Sequence, residues 1–166
     1  SSQFEALQIG GRNLVFNSKG DNVTDWTYTG DIATDTEKEM CVVKSTTSTN
    51  ETYVGTPRTK RVEKSTKYTF SADIFVNENV KSIDFFFLSD TEDNKKTGSA
   101  YTNVNCFLSN YKPTVGVWQR ITKTFTTKAD DYTGFIRIDL NGSSTSGTTA
   151  TMKVAYLKLY NGPKST

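Results

Sequence analysis

A chain of 166 residues fits one domain and is long enough to bury a core of its own. Hydrophobic content of 34% beside aromatic content of 12%, in a sequence rich in Thr, Ser and Asn, suits short strands with polar outer faces and excludes a helical bundle. The net charge of +2 is spread with the signs interspersed, which leaves no field for nucleic acid, and no apolar run reaches membrane-spanning length.

In chain order, residues 1–9 read as a linker or the end of a preceding domain, 10–162 as one domain and 163–166 as a tail. Gly11 to Ser18 predicts a first strand, closed by the turn Ser18-Lys19-Gly20-Asp21. Short strands follow at Trp26–Tyr28, inside a Thr-rich hairpin, at Cys41–Val43 and at Tyr53–Val54, before the turn Gly55-Thr56-Pro57. Tyr68, Phe70, Ala72, Ile74 and Val76 then alternate with Thr69, Ser71, Asp73 and Phe75, giving one apolar and one mostly polar face.

Ile83 to Leu88 breaks that rule with apolar side chains on both faces. Either Phe85 and Phe87 or Phe86 and Leu88 must face something other than bulk water. The options are a covering loop or an aromatic platform, and Phe86, sharing a face with Asp84, is the ring assigned to the platform. Further strands are predicted at Val104–Leu108, at Ile121–Phe125 after Trp118, at Ile136, Ile138 and Leu140 alternating with Arg137, Asp139 and Asn141, and at Val154–Leu159. Ser143 to Ala150 reads as a mobile Ser/Thr/Gly loop. Some ten short strands without a long helix predict an all-β, two-sheet antiparallel β-sandwich of jelly-roll type.

The sequence has no histidine, which removes the commonest general base and metal ligand together. Cys41 and Cys106 lie in apolar alternations and read as two small core residues, with a disulfide as the alternative. Asp90 to Asn94 lacks EF-hand spacing and reads as a solvated hairpin tip.

Three segments carry a resemblance: Gly11 to Ser18, Val154 to Gly162, and Trp118-Gln119-Arg120-Ile121-Thr122-Lys123-Thr124-Phe125-Thr126. In that order, over roughly Ile9 to Lys164, the chain resembles the carbohydrate-binding modules of tail and baseplate proteins from phages that infect Gram-positive bacteria. The resemblance implies a jelly-roll sandwich that binds host cell-surface saccharide without catalysis. It also implies a place in the virion after assembly in the host cytoplasm, with other tail and baseplate proteins as partners through the parent chain. It places Trp118 at the opening of a strand, packed on the sandwich edge. Related sandwiches often hold a structural calcium with an acidic residue near the chain's end. The strand from Val154 to Leu159 has no acid, so no cofactor or metal is expected, with a structural calcium as the alternative that the resemblance leaves open.

A saccharide needs aromatic faces for its C–H surfaces and planar polar partners for its hydroxyls. The candidates here are Trp26, Tyr28, Tyr53, Phe86 and Tyr101 for the first role and Asp73, Arg137 and Asp139 for the second. The three charged residues read either as a surface ion pair or as a hydrogen-bonding floor, with Arg137 also able to take a phosphate of a phosphorylated glycan. As a catalytic pair, Asp73 and Asp139 fail the expectation, because Arg137 beside them should depress both pKa values. A structural or protein-docking sandwich without a saccharide ligand is the competing reading.

Overall fold

The structure, a computed structural model, describes residues 23–162, so the predicted strand at Gly11 to Ser18, the linker and the tail lie outside it. Ten strands and no helix occur among the described residues: β1 (Thr27–Tyr28), β2 (Ala33–Asp35), β3 (Cys41–Thr46), β4 (Thr52–Gly55), β5 (Lys67–Val76), β6 (Ile83–Thr91), β7 (Asn103–Tyr111), β8 (Gln119–Thr126), β9 (Asp131–Leu140) and β10 (Ala150–Asn161). They form two five-stranded antiparallel sheets, β1-β4-β9-β6-β7 and β2-β3-β10-β5-β8, called the first and second sheet below. This is a jelly-roll β-sandwich. Apart from the neighbouring pairs β2–β3 and β6–β7, each successive strand changes sheet. Connections therefore gather at the two ends of the sandwich, and sequence neighbours seldom share a face.

Strict alternation produces the core. Tyr68, Phe70, Ala72, Ile74 and Val76 of β5 face Phe85 and Phe87 of β6 and Ile136, Ile138 and Leu140 of β9, all buried. Burying each large apolar side chain stabilises the fold by about 1.5–3 kcal/mol. Phe87, Phe125 and Phe107 form a stacked run between the sheets, with centroid separations of 5.1 and 4.9 Å. The Tyr68 hydroxyl, at the core's margin, accepts a hydrogen bond from the Glu63 amide at 2.9 Å, so its polar tip is satisfied.

Several expectations are corrected. Cys41 and Cys106 are not a matched core pair: Cys41 is buried, Cys106 is exposed, and both are free thiols. Ser143 to Ala150 is anchored rather than loose. Its first residue is buried, donating its amide to the Ser48 carbonyl at 2.7 Å and its hydroxyl to Thr145 at 2.8 Å. Asp90 is buried rather than solvated and accepts the Thr133 amide, the Thr133 hydroxyl and the Lys96 amide. The remainder of that hairpin tip, from Glu92, is exposed. β2, too polar to read from sequence, pairs along β3.

Candidate functional site

The outer face of the first sheet carries a transverse strip of aromatic and charged side chains. Register builds it: Phe86 of β6 lies opposite Arg137 of β9 and opposite Cys106 of β7, while Tyr53 of β4 and Asp84 of β6 flank Asp139 of β9. Because paired antiparallel residues point the same way, these side chains share the solvent side. The Arg137 guanidinium lies 4.6 Å from the Tyr53 ring centroid and 5.2 Å from that of Phe86. One cation thus bridges two rings, each half-buried. With strands about 4.8 Å apart, the strip from β4 to β7 is about 14 Å long, running across the strands.

Arg137 is held from below. Its Nε donates to Asp139 Oδ1 at 2.8 Å and its Nη2 to Oδ2 at 3.2 Å, a bidentate pair that leaves Nη1 outside it. The Asp139 side chain is only 2% exposed. Burial pushes its carboxyl up to about 6, with the Arg137 pair opposing the rise and the neighbouring Glu51 carboxyl adding to it. This corrects the expectation that Arg137 would depress Asp139: loss of hydration outweighs the guanidinium. Asp84, on the other side, accepts the Asn110 amide at 2.6 Å and the Asn141 side-chain amide at 3.0 Å, both at Oδ1. Tyr101, 40% exposed in the connection before β7, is near enough to act on the Arg137 charge.

Along the strip's flank the sheet is closed over. Leu88 and Phe135 lie opposite each other in register and are buried, and Arg58 lies 5.4 Å from the Phe135 centroid. Arg58 donates to Thr133 Oγ1 at 3.2 Å, to Gly98 O at 3.1 Å and to Ala100 O, tying the β6–β7 connection to the sheet. Gly55, beside Arg137, permits this closure, since a Cβ there would strike Thr27 Oγ1 and approach Phe135 to 3.2 Å. On this strand Leu88 is covered, while Phe86 lies half-buried on the outer face against Arg137.

Four of the eight predicted residues, Tyr53, Phe86, Arg137 and Asp139, meet on this face, and Tyr101 stands beside it. The other three do not. Trp26 is 4% exposed and packs in the core. Tyr28 pairs with the core residue Val54 and so points away from Tyr53. Its ring lies 5.8 Å from Nζ of buried Lys44, whose ammonium donates to the Thr29 and Asp31 carbonyls and lines a cleft of about 350 Å³ at the sandwich edge. Asp73 belongs to the second sheet, so it cannot neighbour Arg137 as expected. It pairs there with Arg120 at 2.8 Å and Lys38 at 3.4 Å. Trp118 also sits on the second sheet's side, 5.8 Å from the Phe75 centroid and donating from Nε1 to Glu37 at 3.3 Å. Sequence reasoning missed Glu51 and Cys106. Glu51 is an ordinary exposed acid until β4 is set against β9, and Cys106 is signalled only by its alternation with Asn105 and Phe107. Among the described residues, no group of three or more acidic or thiol side chains is arranged to hold a metal ion.

The raised Asp139 group gives stability a pH dependence. The folded protein keeps this proton to a higher pH than the unfolded chain, whose aspartate titrates near 3.8. The contribution is fullest below that value, falls as pH rises to about 6, and is flat above. Melting curves from about pH 4 to 7.5 are expected to show this slope in the wild type and to lose it in Asp139→Asn. A slope unchanged by the substitution places the titration elsewhere.

No protein-family model matches this sequence, and no curated protein does. Solved structures do. The enzymatically active domain of bacteriophage CBA120 tailspike protein 4 superimposes with a TM-score of 0.63 at 13% identity, over 90% of this chain and 21% of that one, so this chain spans about a fifth of its length. The CBM22-1 xylan-binding domain of Paenibacillus barcinonensis Xyn10C gives 0.58 at 9% identity, over 97% of this chain and 100% of that one. The module TmCBM61, solved in complex with β-1,4-galactotriose, gives 0.55 at 12% identity, over 91% of this chain and 99% of that one. At these identities the likeness is one of fold: this chain has the β-sandwich architecture of carbohydrate-binding modules.

Proposed function

We propose that this domain is a non-catalytic module that binds bacterial cell-surface saccharide on the outer face of its first sheet. We further propose that it serves host adhesion as an accessory part of a phage tail or baseplate protein carried on the virion. The observation that carries the reading is the strip of Tyr53, Arg137 and Phe86 over a fixed Asp139. Its rings offer stacking surface, and Arg137 Nη1 with the neighbouring carboxylates offers hydroxyl partners. Support for the wider role comes from the resemblance in three sequence segments and from the tailspike likeness.

The chemistry favours binding over hydrolysis. Glycosidases hold two carboxyl groups about 5–9.5 Å apart so that the scissile bond lies between them. Here the buried Asp139 carboxyl is engaged under Arg137 by the bidentate pair. That arrangement does not leave the raised carboxyl free to reach a glycosidic oxygen. A shallow platform gives weak binding per module, and repeated copies on a particle convert it to firm attachment through effective concentration.

A fluorescently tagged copy is expected to decorate Gram-positive cells and to be competed off by free wall polysaccharide. Folded protein that binds no wall polysaccharide shifts the role to protein docking. Cys106 supplies a second test, because it is exposed beside Phe86 while Cys41 is buried. Partial desolvation against the sheet raises the pKa of this accessible Cys106 thiol, with Asp84 adding to it, so labelling is expected to be slow near neutral pH and faster at mildly alkaline pH. A bulky maleimide there is expected to abolish saccharide binding, and bound saccharide to slow the labelling. Full binding by the labelled protein moves the site off this face.

A further inference from the structure

We infer that this face discriminates by charge, accepting an uncharged saccharide and rejecting anionic glycans, with Glu51, Asp84 and Asp139 as the residues that set the preference. The inference rests on the proposed saccharide-binding role of the same face. Among the described residues, two guanidinium groups lie on the outer side of the first sheet, Arg58 and Arg137. Each already has a carboxylate partner, and Arg58 has further acceptors. Arg58 lies 3.9 Å from Asp90 and donates to Thr133 and to the carbonyls of Gly98 and Ala100, while Arg137 makes its bidentate pair with Asp139. Neither offers an open fork to a phosphate or a uronate. Among the described residues, Glu51 and Asp84 remain on the acid side without a cation. The nearby hairpin tip does not redress this, because exposed Glu92 and Asp93 balance exposed Lys95 and Lys96.

The hydrogen-bonding inventory leads to the same preference. Carboxylates only accept, and a sugar hydroxyl both donates and accepts. Glu51 and the Oδ2 atom of Asp84 therefore need a ligand rich in donors, and Arg137 Nη1 needs one acceptor. A neutral saccharide presenting adjacent hydroxyls meets both needs while its ring covers Tyr53 or Phe86. A sulfate, phosphate or uronate adds acceptors and negative charge at a place that already has both in excess, leaving the protein carboxylates unpaired as water leaves. Arg137 is thus the positioned donor of a neutral-sugar platform rather than an anion receptor, although the chain as a whole carries a net charge of +2.

The test uses matched ligands. The domain is titrated with soluble neutral glucans, galactans and wall polysaccharides, and with polygalacturonate and wall teichoic acid, at low and at physiological salt. The neutral polymer that binds best is then oxidised at C6 to its uronate form. Wild-type protein is expected to lose at least tenfold in affinity on that oxidation, more at low salt, and Glu51→Gln/Asp84→Asn to recover most of the loss. Tighter binding of an anionic polymer, or an equal loss in wild type and double variant, overturns the charge inference and leaves the saccharide role standing. Binding of no polymer by folded protein overturns both.

Discussion

Phe86→Ala and Tyr53→Ala are each expected to weaken saccharide binding by about tenfold or more, corresponding to ~1.4 kcal/mol or more. Both rings are half-buried on the outer face, and both lie against Arg137 rather than in the core cluster. Removing either takes away a stacking surface and also one wall that fixes the guanidinium. The effect should therefore exceed that of losing one ring contact, and the two losses should not simply add. The fold should tolerate both changes, because Phe85 and Phe87, on the other side of β6, carry the core packing. Calorimetric titration with wall polysaccharide, alongside melting curves, separates the two effects. Unchanged affinity in both variants removes the strip from the site. Arg137→Ala is the less clean probe, since it strands a carboxyl that is 2% exposed and so changes stability together with binding.

The strip also shows what a sequence of this kind can disclose. Alternation in β5, β6 and β9 made the inward set readable: Phe70, Ile74, Phe85, Ile136 and Ile138 are buried, and Phe86, Arg137 and Asp139 fall on the opposite parity. Parity does not say which sheet a strand joins. Asp73 and Asp139 occupy equivalent positions in two similar-looking strands, yet crossover connections put them on opposite outer faces of the sandwich. The short β1 misleads for a related reason. Two paired residues give too little alternation to set a direction, so Tyr28 read as site-facing although it pairs with core residue Val54. Glu51 and the proton affinity of Asp139 depend on contacts between β4 and β9, across more than 80 residues of sequence, and on burial that no local pattern records.

Trp26→Ala is expected to destabilise the domain by about 3–5 kcal/mol, lowering the melting temperature by on the order of 10 °C. As a Trp in a Thr-rich hairpin it has the composition of a ligand contact, but at 4% exposure it fills the core beside β1. Its indole Nε1 is buried without a hydrogen-bond partner among the described residues, so what truncation removes is packing and not a polar contact. Trp26→Phe should consequently retain much of the stability, since it keeps an aromatic body and deletes an N–H that the fold leaves unpaired. Saccharide affinity measured well below the melting transition should be unchanged in both variants, the reverse of Phe86→Ala. The contrast separates the two aromatic classes in this chain: one that holds the sheets together and one that the first sheet displays. A Trp26→Ala protein with wild-type stability and no affinity would place the site at the sandwich edge, near Tyr28 and Lys44, instead of on the outer face of the first sheet.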